Sequence, residues 1–83
     1  MYYVYVLKCV NNDLYIGYSN NLKERLNNHT KGNVKSTQKL RPIILVYYEA
    51  FRNKKDATKR ERQLKNHRAK EDLKSQIYNS IID

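Results

Sequence analysis

Residues 2–10, Tyr-Tyr-Val-Tyr-Val-Leu-Lys-Cys-Val, are β-branched, aromatic and apolar on both parities. That pattern predicts a strand covered on both faces, and such a strand belongs in the middle of a sheet. Asn11-Asn12-Asp13 is turn chemistry, because these side chains tolerate positive φ and bond to their own backbone. Leu14 to Ser19 then reads as a second strand that completes a hairpin. A three-residue loop sets Val10 opposite Leu14 and puts Tyr3, Tyr5, Tyr15 and Gly17 on one face. A two-residue loop would flip the parity and part Tyr5 from Tyr15; the three-residue loop is favoured. Gly17, lacking a Cβ, is expected to leave an open floor on that face where a ligand backbone can approach.

Asn20 or Asn21 is a fair N-cap for a helix running from Leu22 to Thr30, with no breaker before Gly32. Residues 31–41 are polar, basic and irregular. Pro42 precedes an apolar run, Ile43-Ile44-Leu45-Val46-Tyr47-Tyr48, that predicts a buried third strand ending near Phe51. Asn53 caps a second helix over residues 54–66, with Asp56 in its first turn complementing the dipole. After a break at Asn66-His67, a third helix carries Ala69, Leu73, Ile77 and Ile81 on one face. The order is ββαβαα. The predicted fold class is α/β, a small three-stranded antiparallel sheet flanked by helices in one domain spanning residues 1–83.

Composition changes the picture in one respect. Seventeen Lys and Arg against eight Asp and Glu give a net charge of +9. Such an excess attracts polyanions over roughly a Debye length, about 8 Å at physiological salt. Nucleic acid, DNA or RNA, is the first partner this implies, and an anionic membrane the second. The membrane reading weakens because no apolar run approaches the roughly 20 residues a spanning helix needs. The N-terminus also lacks the basic start and cleavage site of a signal peptide, which points to the cytoplasm. Cys9 is a single cysteine, so no internal disulfide is available, and its apolar setting predicts core packing.

Two helices break their own patterns. Leu22, Arg25, Leu26 and His29 follow the i, i+3, i+4, i+7 rule, yet two of the four are polar. A guanidinium turned toward a sheet is expensive unless paired. Against that, Arg25 at the edge of the stripe can snorkel outward over Leu22, and helix geometry does not decide between the two. His29 alone reads more readily as a hydrogen-bonded structural residue. In the second helix Ala57, Arg60, Glu61 and Leu64 repeat the rule, placing the Glu61 carboxylate on a core-facing stripe. Its bland role is a weak ion pair with Arg62, Lys65 or Arg25. Its functional role is a ligand for Mg²⁺ or Mn²⁺, hard cations that take oxygen donors and keep several waters. Glu49 is the one other acid with an inward position, so one divalent ion on one carboxylate is the most the chain supports.

Taken in order, Tyr3-Val4-Tyr5, Tyr15-Ile16-Gly17, Arg25, His29 and Glu61 resemble the GIY-YIG nuclease superfamily, in its small stand-alone form similar to the UvrC N-terminal domain (UPF0213-type). The resemblance covers residues 2–75 and departs from the family pattern at Tyr3, where the family name has glycine. Many longer members also carry an asparagine after the glutamate, and only Asn66 and Asn79 stand in the corresponding region. The resemblance implies a metal-dependent endonuclease acting on phosphodiester bonds in DNA, single-stranded, branched or damaged, with low sequence specificity and a role in DNA repair. Tyr5 would be the base or water-positioning group, Tyr15 would meet the scissile phosphate, and the two roles are exchangeable. Arg25 would stabilise the pentavalent phosphate, His29 would orient the nucleophile or share its proton, and Glu61 would hold the metal. For Tyr5 to act as a base, nearby cations have to depress its pKa.

Lys31, Lys35, Lys39, Arg41 and Lys65 are the candidate phosphate-tracking residues, although a charge run is often only a solvated face. Tyr18, Tyr47, Tyr48 and Phe51 offer stacking to unpaired bases, with core packing the stronger expectation for most of them. Two alternatives stand beside the nuclease: a non-catalytic nucleic-acid-binding module, and a small partner subunit in a nuclease complex. Glu61 discriminates between catalysis and binding, since a carboxylate among cations weakens phosphate attraction.

Overall fold

The computed structural model describes residues 1–83. Three antiparallel strands, β1 (Tyr2–Lys8), β2 (Leu14–Ser19) and β3 (Ile44–Phe51), form a sheet in the order β2-β1-β3. The strand that is apolar on both parities is therefore the central one. Its even positions, Val4 and Val6, join Leu14, Ile16, Ala57, Leu64 and Leu73 in the hydrophobic core. That face is covered by α2 (Lys54–Leu64), α3 (His67–Gln76) and α4 (Tyr78–Ile82). On the odd face, α1 (Leu22–Lys31) brings His29 against Tyr5 and Tyr15.

The hairpin register differs from the expected one. Lys8, not Val10, lies opposite Leu14, and Tyr5 lies opposite Gly17. The strand ends two residues early because Cys9 N–H donates to the Asp13 carbonyl at 2.9 Å, closing a longer turn with Asn12 at φ 68°. Within that turn Asn11 Oδ1 accepts from Asp13 N–H at 3.1 Å. The slip is by an even number of residues, so parity survives and Tyr3, Tyr5, Tyr15 and Gly17 still share a face. Cys9 is buried and unpaired, as a packing residue should be.

The caps follow their local chemistry. Asn21 accepts from Glu24 N–H, Asn53 from Lys55 N–H and Asn66 from Arg68 N–H, each supplying one partner to the orphan donors of a helix start. Gly32 ends α1 in the left-handed region at φ 81°. The second helix stops at Leu64 rather than 66. The expected third helix is two helices broken at Ile77, yet Ala69, Leu73, Ile77 and Ile81 all still pack on the core. Lys8 Nζ donates to the Ile81 carbonyl at 2.8 Å and ties α4 to the central strand. No helix is long and apolar enough to cross a membrane.

Candidate active site

Tyr5 is fully buried, and its ring lies over Gly17: a Cβ built there would fall 2.3 Å from Tyr5 Cζ and 2.4 Å from its hydroxyl oxygen. The missing Cβ therefore makes room for a tyrosine ring, not an open floor for a ligand. This corrects the expectation for Gly17, and its cause is the register that sets Tyr5 directly across the hairpin from the glycine.

The Tyr5 hydroxyl has two partners. Arg25 Nε donates to it at 3.3 Å, and His29 Nε2 lies 2.7 Å away. Arg25 is a donor only, so we assign the tautomer in which the Tyr5 hydroxyl hydrogen goes to His29 Nε2, the one that leaves no hydroxyl hydrogen of the cluster without an acceptor. Nδ1 of the neutral imidazole then carries the hydrogen and donates to Thr37 Oγ1 at 2.7 Å. Thr37 in turn directs its hydroxyl at the Val34 carbonyl, 3.5 Å away. The result is a one-way chain of donors, Tyr5 to His29 to Thr37 to Val34, with Arg25 feeding into its head. Arg25 thus turns toward the sheet, and its partner is a phenol.

The charge states agree with this order. Burial lowers the His29 imidazole below its ordinary value and the Arg25 guanidinium lowers it further, so the ring is neutral at pH 7. Burial raises the Tyr5 phenol; Arg25 opposes the rise, while Tyr15 and Glu61 add to it. The expectation that nearby cations depress Tyr5 is therefore overturned for the free protein, because desolvation outweighs Arg25. A histidine whose folded pKa lies below its unfolded one contributes stability that is present above about pH 6.5 and is lost as pH falls through the folded value. The urea midpoint is expected to drop between pH 7.5 and about 5.5 and to drop less steeply in His29→Gln. Parallel slopes in the two proteins would contradict the neutral, buried assignment.

Tyr15 stands beside this chain, its ring centroid 5.3 Å from His29 and 6.5 Å from Tyr5. Its hydroxyl accepts from Ser36 Oγ at 3.2 Å. Ser36 and Thr37 both come from the irregular segment after α1, which the sequence marked only as basic. No periodicity signals their role; the sole hint is a Ser-Thr pair interrupting a run of lysines.

Glu61 comes from α2 on the opposite face, yet its charge still acts on Tyr5. Its direct partner is Lys65 Nζ at 3.3 Å, the bland pairing, with the lysine 59% exposed and the glutamate 23%. Glu49, the other inward acid, is committed elsewhere. Arg60 grips it through Nε and Nη2 at 2.9–3.0 Å and Tyr47 donates to it at 2.7 Å. Burial would raise that carboxyl, but the hydrogen bonds from Arg60 and Tyr47 outweigh it and hold it below the usual range. It pairs with Val4 in register and so faces away from Tyr5. No three His, Cys, Asp or Glu residues cluster as a metal cage. Glu61, whose ion-pair partner is that exposed lysine, would suit a hard cation that keeps most of its waters.

The solvent-facing surface of the site is a depression of about 190 Å³ lined by Ser19, Asn20, Asn21, Glu24, Arg25 and Asn28. Of the five expected site residues only Arg25 lines it; Tyr5 and His29 lie behind with no exposed surface. The single open concavity expected for all five is therefore not present in this state, because α1 and the Ser36–Thr37 segment close over the tyrosines. Lys31, Lys35, Lys39, Arg41 and Lys65 are all exposed. Arg41 differs from the rest: Nε donates to the Gln38 carbonyl at 3.0 Å and Nη1 to the Thr30 carbonyl at 3.4 Å, pinning the segment to the end of α1.

The sheet thus carries two tyrosines on one hairpin face, a helix supplies arginine and histidine to them, and a lone glutamate stands on the next helix. The chain belongs to the GIY-YIG family, whose catalytic-domain model matches residues 1–76. It is 40% identical to a UPF0213 protein of Staphylococcus haemolyticus over 88% of this chain and 90% of that one. It is 46% identical to a UPF0213 protein of Clostridium perfringens over 78% of this chain and 71% of that one. The solution NMR structure of a UPF0213 protein from Bacillus halodurans superimposes with a TM-score of 0.60 at 35% identity, covering 90% of this chain and 84% of that one.

Proposed function

We propose that residues 1–83 act as one domain, a metal-dependent endonuclease that hydrolyses phosphodiester bonds in DNA with low sequence specificity. The observation that carries this reading is the oriented chain from Tyr5 to His29, headed by Arg25 Nε. A structural tyrosine needs one partner; this one has a neutral base beside its hydroxyl and a guanidinium bonded to its oxygen.

Hydrolysis requires a water made nucleophilic, charge neutralised on the phosphoryl oxygens, and help for the leaving oxygen. Arg25 lines the depression, and its guanidinium meets the phosphate there. That engagement draws the side chain off the Tyr5 hydroxyl and opens that hydroxyl to water. Tyr5 then takes the water's proton while passing its own to His29 Nε2, and Thr37 holds the imidazolium through Nδ1. Tyr15, adjacent and polar at its tip, orients the phosphate. Glu61 would hold the divalent ion, which would supply charge neutralisation at the phosphate and assistance to the leaving oxygen.

The full burial of Tyr5 and His29 favours one competing reading, a binding module with a sealed relic of the site. A panel of single-stranded, duplex and branched DNA separates the two: fragments in Mg²⁺ or Mn²⁺ and none in chelator are expected of the nuclease. Intact substrates in every metal would leave the binding module.

Binding itself should be salt-dependent and indifferent to sequence, because the exposed lysines are spread widely and no element reads base edges. Removing Lys35 and Lys39 together is expected to weaken all DNA sequences alike and to reduce the log–log salt slope by roughly 1–2. Affinity unchanged between 50 mM and 200 mM salt would contradict phosphate tracking.

A further inference from the structure

Beside the Arg25 depression, and on the same sheet face as Tyr5, lies a pocket of about 430 Å³. Tyr3 and Tyr48 from the sheet, Leu22, Lys23 and Leu26 from α1, and Asn20 from the intervening turn line it. That size falls within the range of about 300–1,000 Å³ typical of small-molecule clefts. Tyr48 is 52% exposed, although it sits opposite Tyr5 in the register of a β-sheet. Tyr18, Tyr47 and Phe51, the other aromatics with stacking potential, pack on the core instead. Tyr3 meets Tyr48 edge to face at 6.0 Å, which steadies an otherwise unsupported ring.

We propose that this pocket receives an unpaired base of a single-stranded DNA segment whose phosphate Arg25 engages. The proposal rests on the functional reading above and assigns that site a substrate form and a second subsite. Three features of the lining select this occupant. The aromatic and leucine surfaces match the two faces of a base, which every base presents regardless of sequence. Asn20 offers an amide with both donors and an acceptor to a base edge, whereas Asn21 is tied to Glu24 through its cap. Lys23 supplies a cation for the next phosphate. Continuity supplies the rest: Asn20 and Asn21 line both this pocket and the Arg25 depression, so one nucleotide spans them. A paired base inside a duplex has no face to offer, which makes the pocket a filter for unpaired strands.

The test is an equilibrium titration in chelator, so that no cleavage intervenes, using a short single strand carrying 2-aminopurine and an abasic strand of equal length and charge. The wild-type protein should bind the base-bearing strand about tenfold more tightly than the abasic one and should quench the 2-aminopurine fluorescence. Tyr48→Leu, on an exposed ring, should bring the ratio near one while leaving affinity for the abasic strand unchanged; Tyr48→Phe should keep the preference. Equal affinity for the two strands in the wild type, or a preference that survives Tyr48→Leu, overturns the pocket while leaving the nuclease reading standing. Binding of neither strand overturns both. A base preference in a protein that cuts no DNA keeps the pocket and removes the nuclease.

Discussion

Arg25→Ala is expected to lower the rate of DNA cleavage by about 10²–10³-fold, the usual consequence of deleting one donor aimed at a developing oxyanion. Arg25 is half-buried, its Nε donates to the Tyr5 hydroxyl, and it lines the depression beside the site. Alanine removes both the charge that meets the phosphate and the donor that holds the Tyr5 hydroxyl in the free protein. Arg25→Lys keeps a point charge but loses the planar fork, so it recovers little of the rate. Single-turnover cleavage read beside DNA affinity distinguishes catalysis from footing. The account requires the rate to fall far more than binding does, and equal losses in both would make Arg25 one more phosphate contact.

Tyr5→Phe is expected to lower cleavage by about 10²–10⁴-fold, the range of general acid–base catalysis, and Tyr15→Phe by less. The reason is position. The Tyr5 hydroxyl is the one group that touches both Arg25 and His29, whereas the Tyr15 hydroxyl reaches Ser36. His29→Ala should match Tyr5→Phe, and the double variant should be little worse than either single one, because residues acting as a unit lose their effect together. Fully additive losses would mean that Tyr5 and His29 serve separate steps. A larger loss in Tyr15→Phe would exchange the roles of the two tyrosines.

Much of this geometry was legible from side-chain alternation and helix spacing. Apolarity on both parities of residues 2–10 fixed the central strand, and the even–odd rule put Tyr5 with Tyr15 even though the turn is longer than three residues. Parity is robust in this way: a slip of two residues changes partners but not faces. The i, i+3, i+4, i+7 stripe located Arg25 and His29 but left the direction of the guanidinium open. Only the phenol across the sheet decides it.

What escaped the sequence lies in segments without a period. Thr37 completes the histidine's hydrogen bonding and is fully buried, yet it sits in a stretch whose residues read as solvated and basic. The break at Ile77 was hidden because the apolar face continues through it in helical phase, so packing alone does not mark the end of α3. Glu49 and Arg60 were each visible as polar intrusions, but their pairing joins β3 to α2 and depends on tertiary approach. The pKa of Tyr5 was misjudged for a related reason. The sequence shows the cations that lower it and conceals the burial that raises it.

Glu61 bears the central claim, because it is the one carboxylate whose charge acts on Tyr5, and its ion-pair partner is an exposed lysine. The decisive measurement follows cleavage and binding of one single-stranded DNA by the wild type and Glu61→Gln, each with Mg²⁺ and with chelator. The account predicts fragments from the wild type in Mg²⁺ alone, none from Glu61→Gln in either condition, and DNA binding that survives in both proteins. Full cleavage by Glu61→Gln, or by the wild type in chelator, would contradict it.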